Sequence, residues 1–493
     1  MKRVYTIVLS LLAICLHAQY TTPNNGEVFT LHDLTLTEPA VVVLSNINEF
    51  TLNGDLTISE NDTLLIDEDI TLKISPEVLI TVFGTFHTMN EGIENPLIIT
   101  AVDPTQPYSG FRMEQGSSSH FERTIFEYGG GFRVFSENFE MHYCTVRYMS
   151  EGVSTSAAIS FSRGAPVISN THFFMNDLPA VASGANQTVA AKLRYNIIEK
   201  NGQSNENRPQ INLAASGIQD TIVLIGNQII GDRSKEMTGG IAIANFFSSP
   251  NHVIIRDNNV YDNRYGLTLF GPNLYALVEN NIFRDNNTQN DPMAGGSGIN
   301  LYSAGDEINT NTIIRENEIT GNLWGITLQG NAFANLGDGS EESPGQNTFD
   351  NNVNNDIIYA LFNNTANTLP AQNNCWIAGQ ESTQEEVENV IFHEADDSSL
   401  GWVDYSNFNC NLAVNDINSS IEIIIYPNPA REFVMVKSDA DAQFELYNST
   451  GKLLKTQRIQ AGTHQIDLNF QKGIYFIRID SNGKINHKKL LIK

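Results

Sequence analysis

The stretch Val278 to Asn287 reads VENNIFRDNN, and close variants return as RDNNVYDNR at Arg256–Arg264, RENEITGN at Arg315–Asn322 and GNQII at Gly226–Ile230. Each places a polar pair, usually with asparagine, ahead of an aliphatic or aromatic residue. Aligned on that apolar residue, the copies mark Ile125, Val146, Phe173, Ile197, Ile229, Val260, Ile282, Ile319 and Phe349, 21 to 37 residues apart. A second element recurs out of phase with the first, as GGIAI at Gly239–Ile243, GLTL at Gly266–Leu269, GINL at Gly298–Leu301 and GITL at Gly325–Leu328. Self-similarity at such a period is the signature of a solenoid. Between the markers stand only short alternating runs such as HVIIRD and NTIIREN, broken by Gly, Asn and Asp, so the unit is built of strands rather than helices. Two short strands are expected per coil. No coil can bury its apolar face alone, so neighbours must stack in parallel at roughly 4.8 Å per coil, with Ile, Val and Phe lining the bore.

Asparagine and glycine tolerate the left-handed or bridge-region backbone that a corner demands. Stacked coils also lay identical amides above one another, where they hydrogen-bond along the stack and satisfy groups otherwise buried without partners. The polar pair is therefore expected at a corner and the next residue at the start of a strand. Variable insertions, including NTQNDPMAGGS at Asn287–Ser297 and ANLGDGSEESPGQ at Ala334–Gln346, leave the tube as loops, where solenoids usually carry function.

These elements together resemble the right-handed parallel β-helix proteins of the pectate-lyase-like fold, an architecture shared by pectin- and alginate-active enzymes, phage tailspikes and many bacterial surface proteins. The opening LTISENDTLLIDEDITLKISPEVLITVFGTFHTMNEGIENPLIITAV, from Leu56 to Val102, is similar to the first coils of that fold. The exit NNCWIAG at Asn373–Gly379, followed by VIFHEADDSSLGWVDYSNF at Val390–Phe408, is similar to its closing segment. The resemblance covers about residues 50 to 410 and implies an all-β chain. It is expected to comprise an N-terminal cap over 19–50, the right-handed β-helix over 51–412, a linker over 413–420 and a small antiparallel β-sandwich over 421–493. The exit departs from the pattern by carrying Cys375 where an aromatic is commoner, which favours a disulfide with Cys410 in an oxidising, exported setting. Cys144 is then left over as a buried thiol.

At the N-terminus, Lys2 and Arg3 precede an apolar run from Ile7 to Cys15. This is the layout of a secretory signal peptide over residues 1–18, cleaved between Ala18 and Gln19. Acylation of Cys15 is disfavoured by bulky Ile14 beside it. No later segment approaches the roughly 20 apolar residues of a transmembrane span. Residues 19–420 carry 16 Lys and Arg against 49 Asp and Glu, whereas residues 421–493 carry 11 against 7. An acidic body with a basic tail points to two units of different purpose, and such a body repels nucleic acid and polyanionic glycans.

In the tail, short strands with alternating apolar residues are separated by Asn448-Ser449-Thr450-Gly451 and Ser481-Asn482-Gly483. Tyr426-Pro427-Asn428-Pro429, then Gly451-Lys452, then Gly473 and Tyr475, then a terminal strand ending at Lys493, closely match the type A (Por) C-terminal sorting domain of the type IX secretion system of Bacteroidota. An ordinary fibronectin-like module lacks this ordered string. The resemblance implies that the translocon reads the tail and removes it. The remainder is then released, or joined to surface lipopolysaccharide, so the protein ends secreted or at the outer-membrane surface after passing through the periplasm.

Chemistry is harder to read. Pectin hydrolases of this fold use clustered aspartates with a Gly-His-Gly and an Arg-x-Lys element; the sequence has no Gly-His-Gly, and no catalytic residue is assigned. Asp257, Glu279 and Glu316 each stand three residues before a marker in consecutive coils and are expected to form a carboxylate column that holds calcium, is neutralised by the adjoining Arg256 and Arg315, or splays into solvent. His120, His142 and His172 stand five, four and one residues before their markers and are not expected to align into a metal site. Tyr265, Phe270, Tyr275 and Tyr302 are candidates for stacking on sugar rings, or for packing inside the tube. The expected function is binding of polysaccharide or other surface material without catalysis; the alternative is a polysaccharide lyase or glycoside hydrolase. Fold alone does not rank these.

Overall fold

Buried and half-buried residues alternate along short strands such as Thr63–Ile66 and Leu79–Val82, the period of two that turns every second side chain inward. The computed structural model describes residues 18–493 apart from 68, 91–95, 151–155, 306–309, 409, 411–422, 427, 429, 432, 439, 449–451, 482–483 and 493. Residues 1–17 of the expected signal peptide 1–18 and the expected linker 413–420 lie outside the described residues. The chain divides into two units, residues 1–411 and 412–493. Among the described residues no helix is long and apolar enough to cross a membrane.

Most described strands of the first unit fall into three long sheets; Val353–Asn354 with Ile357–Ile358, and Leu369–Pro370 with Val403–Asp404, form two further pairs. Sheet A runs from Gln19–Thr21 to Ile391–Phe392, sheet B from Val28–Phe29 to Ala334–Asn335 and sheet C from Val42–Asn46 to Thr348–Asp350, with 14, 12 and 13 described strands. Each coil visits A, B and C in turn, as in Gly239–Ala244, Asn251–Arg256 and Asn259–Tyr261. Pairing is parallel, as between those strands and the next coil's; the hairpin of Val42–Asn46 with Glu49–Leu52 is antiparallel. The body is a parallel β-helix. It has three strands per coil where the repeats suggested two. Sheet B is the strand they hid, because only Asp257 and Asn258 separate it from sheet C and HVIIRDNNVY reads as one interrupted run.

The B-to-C corner has a fixed recipe. Asp257, Asn280, Glu316 and Gln346 take its first position with φ of 58°, 55°, 58° and 61°, the left-handed region that Asn and Asp enter most readily among residues with a Cβ. The following residue turns inward. There Asn196, Asn227, Asn258, Asn281, Asn317, Asn347 and Asn374 form a continuous ladder, each Nδ2 donating to the next Oδ1 at 2.9–3.0 Å. The same Oδ1 accepts the backbone N–H of the preceding ladder asparagine, as from Asn258 to Asn281 at 3.0 Å, so the corner's polar groups are satisfied without water. Toward the N-terminus the position passes to Thr171 and Cys144, with the Cys144 N–H donating to Thr171 Oγ1. Cys144 is thus a ladder site filled by sulfur, and burial pushes its thiol up to about 12.

A second ladder lines the C-to-A corner through Asn176 and Asn201, then Asn263, Asn286, Asn322 and Asn352. The register puts Asp232 in the gap, where a buried carboxylate would be costly. Gln210 supplies the missing amide instead: Asn201 Nδ2 donates to its Oε1 at 3.1 Å and its Nε2 donates to Asn263 Oδ1 at 2.9 Å. Asp232 turns out to Ser234 and Gln203.

Beside the ladders, the inward row of sheet C is Phe126, Val146, Phe173, Ile198, Ile229, Val260, Phe283, Ile319 and Phe349. All are fully buried, each burial contributing about 1.5–3 kcal/mol before entropy. The markers Ile125, Ile197 and Ile282 stand one residue early. In TIFE, NIIE and NIFR two apolar residues follow the polar pair, and the second faces the bore.

Both ends of the tube are closed. Helix Leu31–Thr37 carries a capping box of Thr30 with Asp33 and buries Leu31 and Leu34. Parallel pairing begins before it, with Gln19 opposite Asp55 and Val28 opposite Thr63. Buried Asp62 ties this segment down by accepting the N–H groups of Asn24, Asn25 and Gly26 at 2.7, 2.9 and 2.9 Å. At the other end, helix Gln384–Glu388 is capped by Thr383 and Glu386. Buried His393 accepts the Val403 N–H at Nδ1 and donates from Nε2 to Glu388 at 3.0 Å, and Cys375 and Cys410 form a disulfide.

In the second unit, Ile423–Tyr426, Phe433–Ser438 and Gly462–Asp467 form one antiparallel sheet. Leu453–Ile459, Ala442–Asn448, Gly473–Ser481 and Lys484–Ile492 form another. They share a core that includes Val434, Val436, Phe444, Leu446, Ile466 and Ile477, a small β-sandwich.

Candidate functional site

Sheet A holds its inward residues, such as Ile241, Leu267, Ile299 and Ile326, in the bore, which fixes what faces outward. One outward column reads Ala242, Thr268, Asn300, Thr327, Phe362 and Phe392. Its neighbour reads Ala244, Phe270, Tyr302, Gln329 and Asn364. Phe246 packs on Phe270 at 4.9 Å, and Phe270 stacks on Tyr302 at 5.0 Å with planes 13° apart. A second aromatic group joins Trp324 to Tyr359 and Phe362 at 4.7 and 5.0 Å, and Phe362 to Phe392 at 4.7 Å. Between the groups, Thr327 Oγ1 donates to Asn300 Oδ1 at 2.7 Å. None of the outward residues in these two columns is charged or an imidazole.

Of the four candidate sugar-stacking aromatics, Phe270 and Tyr302 share this face. Tyr265 lies against Gly239, where an added Cβ would meet its ring at 2.3 Å, and burial pushes its phenol up to about 12. Tyr275 belongs to sheet B and stacks on His252 at 5.1 Å.

The expected carboxylate column does not form. Glu279 pairs in register with Arg256 and Arg315, not with Asp257 and Glu316, because its coil's true inward residue is Phe283 rather than Ile282. Arg256 and Arg315 clasp buried Glu279 from either side, with Arg315 Nε at 2.7 Å. Asn280 takes the place between the exposed Asp257 and Glu316. These residues provide no calcium cage.

The same shift of phase concealed a different group. His120 stands opposite Glu140 in sheet B, and His142 lies two residues beyond Glu140 on the same outward face. His120 Nδ1 is 3.2 Å and His142 Nε2 3.7 Å from the same carboxylate oxygen, Glu140 Oε2. His172 belongs to sheet C and pairs with Glu199 at 3.3 Å. The legible signal was Glu140-Met141-His142, which places a carboxylate and an imidazole on one face of a strand.

In the second unit, Tyr426 ends the first strand and Asn428 Oδ1 accepts the Leu491 N–H at 2.9 Å. The Ala430 N–H donates to Leu491 O at 2.7 Å, so Asn428 and Ala430 hold the final strand. Lys452 and Asn448 exchange hydrogen bonds across a turn at 2.8 and 3.0 Å. Gly473 opens the strand in which Tyr475 is buried, its hydroxyl donating to Gln471 O at 2.6 Å. Pro427, Pro429, Gly451 and Lys493 lie outside the described residues.

Residues 424–493 match the family described as secretion system C-terminal sorting domain. Residues 278–380 match a family described as protein of unknown function, DUF1565. No curated protein matches the chain. Solved structures similar to it include the periplasmic alginate epimerase AlgG, at 12% identity over 77% of this chain and 83% of that one with a TM-score of 0.40. A double mutant of the same epimerase stands at 11%, 77%, 82% and 0.42. The protein is a parallel β-helix followed by a type IX secretion sorting domain.

Proposed function

We propose that the β-helix, exported by the type IX system and displayed at the cell surface or released, binds a neutral polysaccharide along the outer face of sheet A without cleaving it. The observation that carries this reading is the line of Phe246, Phe270 and Tyr302 beside Thr268 and Asn300. These rings lie against one another and turn their apolar edges outward to the apolar side of a pyranose ring, while hydroxyl and amide groups alongside bond its hydroxyls. Coils repeat at roughly 4.8 Å, close to the length of one sugar unit, so a chain lying along the face sets about one sugar on each coil. Uncharged floor residues on an acidic body favour a neutral chain over a polyuronate. Cleavage calls for a positioned acid and base, and none of the residues in this line is a carboxylate, imidazole or amine.

The purified region from Gln19 to about Ser420 is tested against neutral and acidic polysaccharides, with binding followed by calorimetry and products by ultraviolet absorbance and reducing ends. Binding of a neutral member without product supports the reading. Turnover of any member overturns it in favour of a lyase or hydrolase.

A further inference from the structure

We propose that His120, Glu140 and His142 hold one divalent transition-metal ion on the outer face of sheet B, a site separate from the sheet A face. Phe121 and Met141, both fully buried, lock the two strands in register, so the three outward side chains converge by construction. Their donor atoms all lie within 4.8 Å of one another. Both imidazoles aim at the same oxygen, Glu140 Oε2, at 3.2 and 3.7 Å. Ligands about 2.0–2.1 Å from a tetrahedral zinc ion stand roughly 3.3 Å apart, so the ion fits with only a small closing of the two rings.

The second nitrogen of His142 supports the assignment. Nδ1 lies 2.8 Å from Ser169 Oγ. A proton held there for the serine oxygen leaves the Nε2 lone pair facing Glu140, the orienting contact that ligating histidines ordinarily have. Glu122, which stands opposite His142, is engaged by Arg123 at 2.6 Å, which leaves Glu140 to the imidazoles. Two imidazoles and one carboxylate select zinc, cobalt or nickel over calcium, which takes oxygen ligands. Three protein ligands leave a position open toward a groove of about 370 Å³ that His87, Ser118, Glu137, Asn138 and Val167 also line. Water or an oxygen of an incoming ligand completes the shell.

The full chain is stripped with a chelator and titrated with Zn2+ by calorimetry, then loaded with Co2+ for visible absorption. One equivalent of Zn2+ is expected, with a tetrahedral Co2+ spectrum. Both are expected to weaken at least tenfold in His142→Ala and Glu140→Ala and to persist in His252→Ala. Should a variant fail to fold, near-isosteric Glu140→Gln gives the same readout. An isotherm unchanged in the His120→Ala/His142→Ala double variant, displacement of zinc by modest calcium, or no binding at all would overturn the proposal.

Discussion

Asn280 and Asn281 are adjacent, identical in sequence and opposite in role. Asn280 is exposed at a φ of 55°, so Asn280→Gly, which suits that backbone, is expected to be near neutral. Asn281 Nδ2 donates to Ile255 O, Glu279 O and Asn317 Oδ1, and its Oδ1 accepts from Asn258 twice. Asn281→Leu strands those partners in the dry interior and is expected to cost about 3 kcal/mol; thermal melts of the two variants check the contrast. Asp62 gives a pH signature. Burial pushes its carboxyl up, but hydrogen bonds from Thr22 and from the backbone of Asn24, Gly26 and Glu27 outweigh this and hold it below the ordinary 3.8. A folded value below the unfolded one stabilises fully above the unfolded value and is lost as pH falls through the folded one. The stability gap between wild type and Asp62→Asn is therefore expected to be largest at neutral pH and to shrink below about pH 4; a gap independent of pH contradicts this role. At this scale the sequence showed that amides mark corners but not always which residue faces in. Two apolar residues after Asn leave the phase open by one, and one step exchanges the faces of a strand. Taking Ile282 for Phe283 made Glu279 a calcium ligand. Taking Ile125 for Phe126 set His120 and His142 on opposite faces.

Among the elements, the final coil depends on a covalent tie. Cys375 and Cys410 close a loop with a separation of 35 residues, worth roughly 4 kcal/mol by loop-closure entropy. Coils in a solenoid contact only their neighbours, so a loss at one end stays there. Cys410→Ser is thus expected to speed hydrogen exchange over helix Gln384–Glu388 and strand Val403–Asp404 while strands between residues 250 and 330 remain protected. Uniform deprotection would show that the tube unfolds as one body. Strands A and C were legible because glycine or asparagine stands at their start, as in GITL and NNVY. Sheet B strands run straight into the asparagine corner of sheet C, as in HVIIRDNNVY, so the two read as one element. The terminal caps were less legible still: the Thr30–Asp33 and Thr383–Glu386 boxes serve helices of seven and five residues, too short to display a period.

For the molecule as a whole, the charge contrast between body and tail matches a division of labour, one unit carrying the proposed binding face and the other the sorting domain. The tail was readable because its string is local: Asn428 and Ala430 contact the last strand wherever the fold forms. The sheet A face was not, because Phe270 and Tyr302 are 32 residues apart in a chain whose coils vary in length, and only the register of the ladders brings them ring to ring. Calorimetry of Tyr302→Ala against wild type, with a neutral polysaccharide that binds the body, tests the central claim most directly. Affinity is expected to fall about tenfold, the loss of one stacking contact, with the melting temperature unchanged. Undiminished affinity, or tighter binding of an acidic glycan than of any neutral one, would contradict it.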